Sequence, residues 1–403
     1  MISSKLKIRG QRPIGLDIGH SSIKMIQLAT NGGHISALAA NKVCVEPRVN
    51  GDTEVGRGFI VSTIKQMLAE GDFRGRNVVS CLPNERLKIT SLRLAGTESK
   101  EIEQALQKEA VQRFGLDPDK DSMSYVLAGD VRQGDEIRNE LILFAADDKS
   151  IRSHIELLEE AGLTPVGLDA LPCALLRSFE RSLRRQEDKE RTVVFVDVGS
   201  RFTIVVFSRG GEISFVKQIS IGAGNFGQEI AAKLAVGVNE AEMLRGKLRM
   251  EGAASEARGC PVSAQDSTSQ DDIADPKHGQ EQLPTLDAST RQVMVDAISA
   301  VAEKLAKEIS LCFRYYTVTF RGRRVERAVL SGGGAYEKIL LNVLRRQLAV
   351  EIELAQPLRG VDMMNVRFDG CKRGLLCEWA VAVGLSLKGW NGVAGKAESY
   401  ERN

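Results

Sequence analysis

The 403-residue chain has little of what marks several common classes of protein. Aromatic residues make up only 5% of it, too few for a platform on which bases stack. A formal net charge of +2 supplies no basic surface for a phosphate backbone, so nucleic acid is not an expected partner. With four histidines, a His-based catalytic or metal centre is disfavoured. The seven cysteines, at 44, 81, 173, 260, 312, 371 and 377, are scattered. They form no Cys-x-x-Cys pair or zinc-like spacing and read as reduced thiols of a cytoplasmic protein. No apolar run reaches the roughly 18 residues of a membrane span. The basic stretch Met1 to Arg12 lacks the apolar core of a secretion signal and reads as a disordered tail. The expectation is a cytoplasmic protein that meets a membrane only indirectly, through a partner.

What is present fits a soluble globular protein, with 43% hydrophobic and 27% charged residues. The length exceeds what one core sustains, so two or more domains are expected. Two segments share one plan. Pro13 to Leu28 and Thr192 to Phe207 each contain an apolar run ending in Asp-x-Gly, a few small or polar residues, and a second β-rich run. This duplication at a half-chain period predicts two related lobes.

Between the copies, Ile35 to Val45 predicts a strand, and Ile60, Ile64, Met67 and Leu68 share one helical face. Asn77 to Leu82 reads as a short strand. A strand–helix–strand–helix pattern then runs from about 84 to 162 and reads as a small α+β unit set into the first lobe. Arg181 to Arg191 is a charged connector. The expected division is a first lobe over 1–83 with 163–185 returning to it, and the insert at 84–162. The second-lobe core covers 191–225 with 325–390, and its outer part 226–324. Within that outer part, 250–285 is poor in large apolar residues and reads as a flexible loop. A long amphipathic helix over 294–316 follows, then a strand entering Ser331-Gly-Gly-Gly-Ala335 and a helix behind it.

Asp17 and Asp197 each end an apolar strand just before a glycine turn. A carboxylate there must face a cleft and a cation or donor, since burial without one is costly. Gly19 and Gly199 let backbone N–H groups approach an anion, and Ser21, Ser22 and Thr203 place hydroxyls nearby. Mg²⁺ held mainly through water by two carboxylates and bridging nucleotide phosphates is one common use of such a pair. Gly332, Gly333 and Gly334, between a strand and a helix, offer unhindered backbone to a flat or anionic group. They fit neither a Walker loop nor a dinucleotide fingerprint.

These residues resemble the motifs of the actin-like ATPases. Asp17-Ile-Gly-His-Ser-Ser-Ile-Lys24 is similar to the first phosphate motif and Asp197-Val-Gly-Ser-Arg-Phe-Thr203 to the second. Leu330 to Ala335 resembles the adenosine motif, and Glu378 to Leu385 the closing helix. Asn239 to Arg245 is similar to the helix whose Glu and Lys reach ribose and adenine. The resemblance implies an α/β fold of two ribonuclease-H-like lobes. It also implies ATP with Mg²⁺ on Asp17 and Asp197, phosphate contacts from Lys24 and Arg201, and nucleoside contacts from Glu242 and Arg245. Within that superfamily the chain resembles the PilM family of type IV pilus assembly proteins, notably over 226–247 and 307–316 and in the insert that family shares with the division protein FtsA. That likeness implies docking of the N-terminal peptide of a PilN-like bitopic membrane protein, at the inner face of the inner membrane. It leaves self-association open.

His20, Arg245 and Leu171 depart from the superfamily pattern, standing where a small hydroxyl residue, Lys and Glu are usual. Leu171 replaces the carboxylate that orients attacking water, and Asp169 is the nearest acid. Binding with weak or absent hydrolysis is therefore expected. The competing readings are an FtsA-like filament protein and a small-molecule kinase of the same superfamily. The segment after Leu387 has no amphipathic pattern, which disfavours the first. The lack of a substrate-side carboxylate disfavours the second.

Overall fold

The duplicated Asp-x-Gly segments become two β-hairpins, each at the heart of its own sheet. The computed structural model describes residues 10–31, 33–45, 53–95, 99–133, 136–183, 191–258, 286–320, 324–364, 366 and 376–389. The N-terminal tail up to residue 9, residues 259–285 and the stretch beyond 389 lie outside them.

In the first half, β1 (Gln11–Ile18), β2 (Ser22–Asn31) and β3 (His34–Cys44) form an antiparallel meander. Helix α1 (Glu54–Glu70) starts at Thr53, whose hydroxyl accepts from Gly56 N at 3.1 Å, and buries Ile60, Ile64, Met67 and Leu68. β4 (Asn77–Cys81) then runs parallel to β1. Next come β5 (Lys88–Leu94), α2 (Ser99–Phe114), β6 (Ser122–Gln133) and β7 (Glu136–Ala146). The sequence reading lacks β6, because a register shift between Leu127 and Gly129 breaks its alternation. Helix α3 (Asp148–Glu160), capped by Asp147 on Ser150 N, leads to β8 (Thr164–Asp169) and α4 (Leu171–Phe179).

The second half repeats the hairpin in β9 (Thr192–Val198), β10 (Thr203–Arg209) and β11 (Glu212–Ile219). Helices α5 (Gly224–Leu234), α6 (Val238–Arg258) and α7 (Ala288–Thr319) follow. Helix α6 runs on to Arg258, into the stretch read as a loop from 250, because Ala253, Ala254 and Ala257 sustain a helix. Then come β12 (Val325–Ser331), α8 (Lys338–Leu348), β13 (Glu351–Leu354), β14 (Val361–Asp362) and α9 (Ala380–Ser386).

The strands make a six-stranded sheet, β14-β3-β2-β1-β4-β8, a five-stranded sheet, β11-β10-β9-β12-β13, and a three-stranded sheet, β5-β7-β6. One face of the first sheet packs Ile14, Leu16 and Val78 against α1 and α3. On its other face, Ile26 and Leu28 meet Trp379, Ala382 and Val383. The closing segment, grouped by sequence position with the second lobe, thus returns to the first sheet. There β14 extends β3, and a Cβ on Gly384 of α9 would lie 1.7 Å from Ala174 O of α4. That close approach is open only to glycine.

The three-stranded sheet is shared between two cores. Leu141, Leu143 and Ala145 pack under α2. Ala128, Val131, Ile142 and Phe144 join the core that holds the second sheet and α7. The insert therefore buttresses the second lobe as well as the first.

Candidate nucleotide cleft

The two Asp-x-Gly turns are built alike at the hydrogen-bond level. Gly19 N donates to Ser22 O at 3.0 Å, and Gly199 N donates to Phe202 O at 3.0 Å. Asp17 lies opposite Lys24 in the β1–β2 register, and Asp197 lies beside Ser331 in the parallel β9–β12 pair.

Lys24 Nζ donates to Asp17 Oδ2 at 2.7 Å, with both side chains largely buried. Burial works against the Lys24 charge. Asp17, by charge and hydrogen bond, together with Asp197 and Glu378, outweighs it and holds the ammonium above its ordinary value. Asp197 is only 7% exposed. Burial, reinforced by the charge of Asp17, pushes its carboxyl up to about 6, against the opposing Ser331 hydroxyl and Lys24. Ser331 Oγ donates to Asp197 Oδ1 at 2.9 Å. Two carboxylates therefore converge with one ammonium, and Lys24 is already committed to Asp17. A divalent cation would relieve Asp197, so the donor set fits a metal held partly through water and phosphate.

The glycine run packs on the same strand. Gly332 has φ of +83°, and its N–H donates to Cys377 O at 3.1 Å. A Cβ on Gly334 would strike Val198 Cγ1 at 2.3 Å, whereas one on Gly333 would meet nothing within 4 Å. Gly333 thus presents bare, open backbone two residues beyond Ser331, the partner of Asp197, and a nucleoside would fit against it. Behind it Tyr336 Oη donates to Glu378 Oε2, and Lys42 Nζ donates to Glu378 Oε1 at 2.9 Å. Burial would raise the Glu378 carboxyl, but Tyr336 and Lys42 hold it below its ordinary value.

Other residues singled out from sequence have partners within the protein. Thr203 is fully buried, and its hydroxyl donates to Ile221 O at 2.7 Å. Ser22 is buried, while Ser21 is exposed at the turn. Arg245 is 3% exposed. It donates to Glu337 Oε2 at 3.0 Å, to Ala223 O at 2.9 Å and to both Glu242 oxygens, at 3.0 and 3.1 Å. Its guanidinium also lies 5.0 Å from the Phe226 ring centre. Arg245 thus braces α6 against the turn before α5, and Glu242 is the more exposed of the pair. Asp169 accepts from Arg177 Nη1 at 2.6 Å and from Ala170 N at 2.9 Å, with Lys388 Nζ 3.9 Å away. A carboxylate so engaged holds α4 rather than standing open to water.

Arg201 and His20 meet across the turns, as described below. Ser331, Lys42, Tyr336, Glu378, Glu337 and Glu85 were not singled out from sequence. Each is a common residue whose role arises from strand register or a long-range contact. Lys42 alone left a signal, as the lysine that falls opposite Lys24 once β2 and β3 pair.

The two sheets, duplicated turns and glycine cradle define a protein with the actin-like ATPase fold. The sequence matches the family model described as type IV pilus assembly protein PilM over residues 15–252, more than half of the chain. The chain belongs to that family. A solved structure described as a PilM–PilN type IV pilus biogenesis complex is similar at 22% identity and a TM-score of 0.69. The match covers 93% of this chain and 98% of that one. The ethanolamine utilization protein EutJ from Carboxydothermus hydrogenoformans is similar at 12% identity and a TM-score of 0.52, covering 94% of this chain and 90% of that one. No helix among the described residues is long and apolar enough to cross a membrane.

Proposed function

We propose that this chain is a nucleotide-controlled scaffold of a type IV pilus or related pseudopilus machine. In this reading it binds Mg·ATP between the two Asp-x-Gly turns and docks the cytoplasmic N-terminal peptide of a PilN-like bitopic protein at the inner face of the inner membrane. The observation that carries the nucleotide part is the convergence of Asp17 and Asp197, with the Asp197 carboxyl pushed up to about 6 in want of a cation. Membership of the PilM family supports the assembly role, and the PilM–PilN complex of like fold supports the partner.

Bound Mg²⁺ would neutralise phosphate charge and bridge the lobes. Asp17 and Asp197 would hold its waters, and Gly19, Ser21, Gly199 and Arg201 would face the phosphates. Gly332 to Gly334 and Glu242 would flank the nucleoside. Lys24 holds Asp17 in place by donating to its Oδ2 at 2.7 Å. Hydrolysis is slow or absent in this reading, because Leu171 offers no carboxylate and Asp169 is tied to Arg177. Lobes divided as 1–83 with 163–185 and 191–225 with 325–360 would close on the nucleotide, and the insert at 84–162 would carry the change to a peptide groove between it and the first lobe.

Calorimetry with Mg·ATP tests the first step. Asp17→Ala and Asp197→Ala are expected to lose binding by at least about tenfold. Peptide titrations with and without Mg·ATP test the coupling, and identical peptide affinity in the two would remove it. Light scattering with Mg·ATP reads self-association.

A further inference from the structure

Three side chains from three parts of the fold meet at the mouth of the cleft. His20 belongs to the first Asp-x-Gly turn, Arg201 to the second, and Glu85 to the turn joining β4 to β5. His20 Nε2 lies 2.9 Å and Arg201 Nη1 3.1 Å from the same oxygen, Glu85 Oε1. Arg201 Nη1 is also 3.0 Å from His20 Nε2. Both Glu85 oxygens are shielded from water. The carboxylate is held at the surface end of the cleft by its short contacts with His20 and Arg201, a partly exposed grip of modest strength. Burial works to raise the Glu85 carboxyl, and the contacts with His20, its own backbone and Arg201 bring it below its ordinary value.

The position of Glu85 gives this contact a consequence. It sits in a tight turn in which Arg86 N and Leu87 N donate to Pro83 O at 2.9 and 3.3 Å. The turn begins two residues after β4 ends in the first sheet and closes just before β5 opens the three-stranded sheet. That sheet in turn shares its inner face with the second-lobe core. The Glu85 carboxylate thus lies between the two Asp-x-Gly turns, in contact with one side chain from each.

We propose that Glu85 is a built-in counter-anion, which Arg201 and His20 exchange for the terminal phosphate of a nucleoside triphosphate. The exchange releases the Pro83–Leu87 turn, so nucleotide state reaches the inserted sheet through one side chain. This rests on the nucleotide reading above and adds to it a basis for telling triphosphate from diphosphate. A diphosphate leaves Arg201 and His20 on Glu85, whereas a triphosphate offers them a stronger acceptor. Any ligand shifts such an equilibrium only by its differential affinity for the two arrangements.

The test uses the full chain with Mg·ATP and Mg·ADP as probes, in wild type, Glu85→Gln and Arg201→Gln. Glu85→Gln keeps the side-chain shape but removes the competing charge. It is expected to tighten Mg·ATP by about fivefold while leaving Mg·ADP within about twofold. Arg201→Gln is expected to narrow the preference for ATP. Hydrogen exchange supplies the second readout: Mg·ATP should alter protection over residues 83–94 in wild type and leave it unchanged in Glu85→Gln. Unchanged ATP and ADP affinities in Glu85→Gln, with wild type binding normally, overturn the exchange while leaving the nucleotide reading intact. Failure of wild type to bind either nucleotide overturns both.

Discussion

Replacing Asp197 with asparagine separates the cost of holding this carboxylate from its use. Burial pushes its carboxyl from the ordinary 3.8 to about 6, so the folded protein binds the proton more tightly than the unfolded chain. Between those pH values the folded state carries more protons, and stability falls as pH rises. Above about 6 the penalty is fully present, and the interval corresponds to about 3 kcal/mol. Asparagine removes the charge and can still accept from Ser331 through its side-chain carbonyl. Without nucleotide or metal, Asp197→Asn should therefore be more stable than wild type at pH 7.5, by about 3 kcal/mol or on the order of 5 °C in Tm. The gain should shrink below pH 6 and approach zero near pH 4. The same variant should lose the upward Tm shift that Mg·ATP gives wild type. Scanning fluorimetry from pH 5 to 8, with EDTA or with Mg·ATP, reads both effects. A gain that does not grow with pH, or a destabilised variant at pH 7.5, would refute the reasoning, because it would mean that the Asp197 charge is not held at a cost.

Lys24→Met should leave Asp17 buried without its counter-ion and cost about 3 kcal/mol in urea unfolding, most of it restored by adding Asp17→Asn. His154 is buried with Nε2 3.1 Å from Ser80 Oγ, and burial, aided by Arg57, lowers it to about 4. The unfolded chain then binds more protons below pH 6.5, so stability should fall as pH drops from 6.5 to 4, by up to about 3 kcal/mol; the slope should weaken in His154→Asn. Gly384→Ala forces a Cβ to within 1.7 Å of Ala174 O and should lower stability by at least about 2 kcal/mol. Gly333→Ala meets nothing within 4 Å; it should leave apo stability within about 0.5 kcal/mol while weakening Mg·ATP in calorimetry.

Much of the fold was legible because its signals are local. The Asp-x-Gly hairpins, the apolar face of α1 and the glycine run before α8 each lie within one stretch of chain, where periodicity and turn chemistry speak directly. β6 was not legible, since its bulge near Gly129 hides the alternation. The return of the closing segment was not legible either, because only tertiary packing decides that Ala380–Ser386 belongs on β1 and α4. At the site, Asp17 and Asp197 announce themselves by strand-end position. Arg245 and Thr203 lie in the right segments, but their side chains turn inward to Glu337 and to Ile221 O. Sequence position marks the neighbourhood of a cleft, and the hydrogen-bond partners decide which members open onto it.

The charges beneath the cleft form a row rather than separate pairs. Strand register sets Asp17 opposite Lys24, and Lys24 opposite Lys42, all on one face of the first sheet. Two lysines directly opposite on antiparallel strands repel. Here each is drawn to its own carboxylate, Lys24 to Asp17 at 2.7 Å and Lys42 to Glu378 at 2.9 Å. Glu378 also accepts from Tyr336, which in turn accepts from Cys377 N at 3.1 Å beside the glycine cradle. A metal held by Asp17 would weaken its hold on Lys24, leaving Asp197 and Glu378 as the other carboxylates that act on that ammonium. In the proposed nucleotide reading, the phosphate and nucleoside ends would be coupled through Asp17, Lys24 and Lys42 on the sheet and Glu378 packed against it. Glu378→Gln, which leaves two opposed lysines with one carboxylate between them, should weaken Mg·ATP by about tenfold without touching either Asp-x-Gly turn. An unchanged affinity in that variant would show that the two ends act independently.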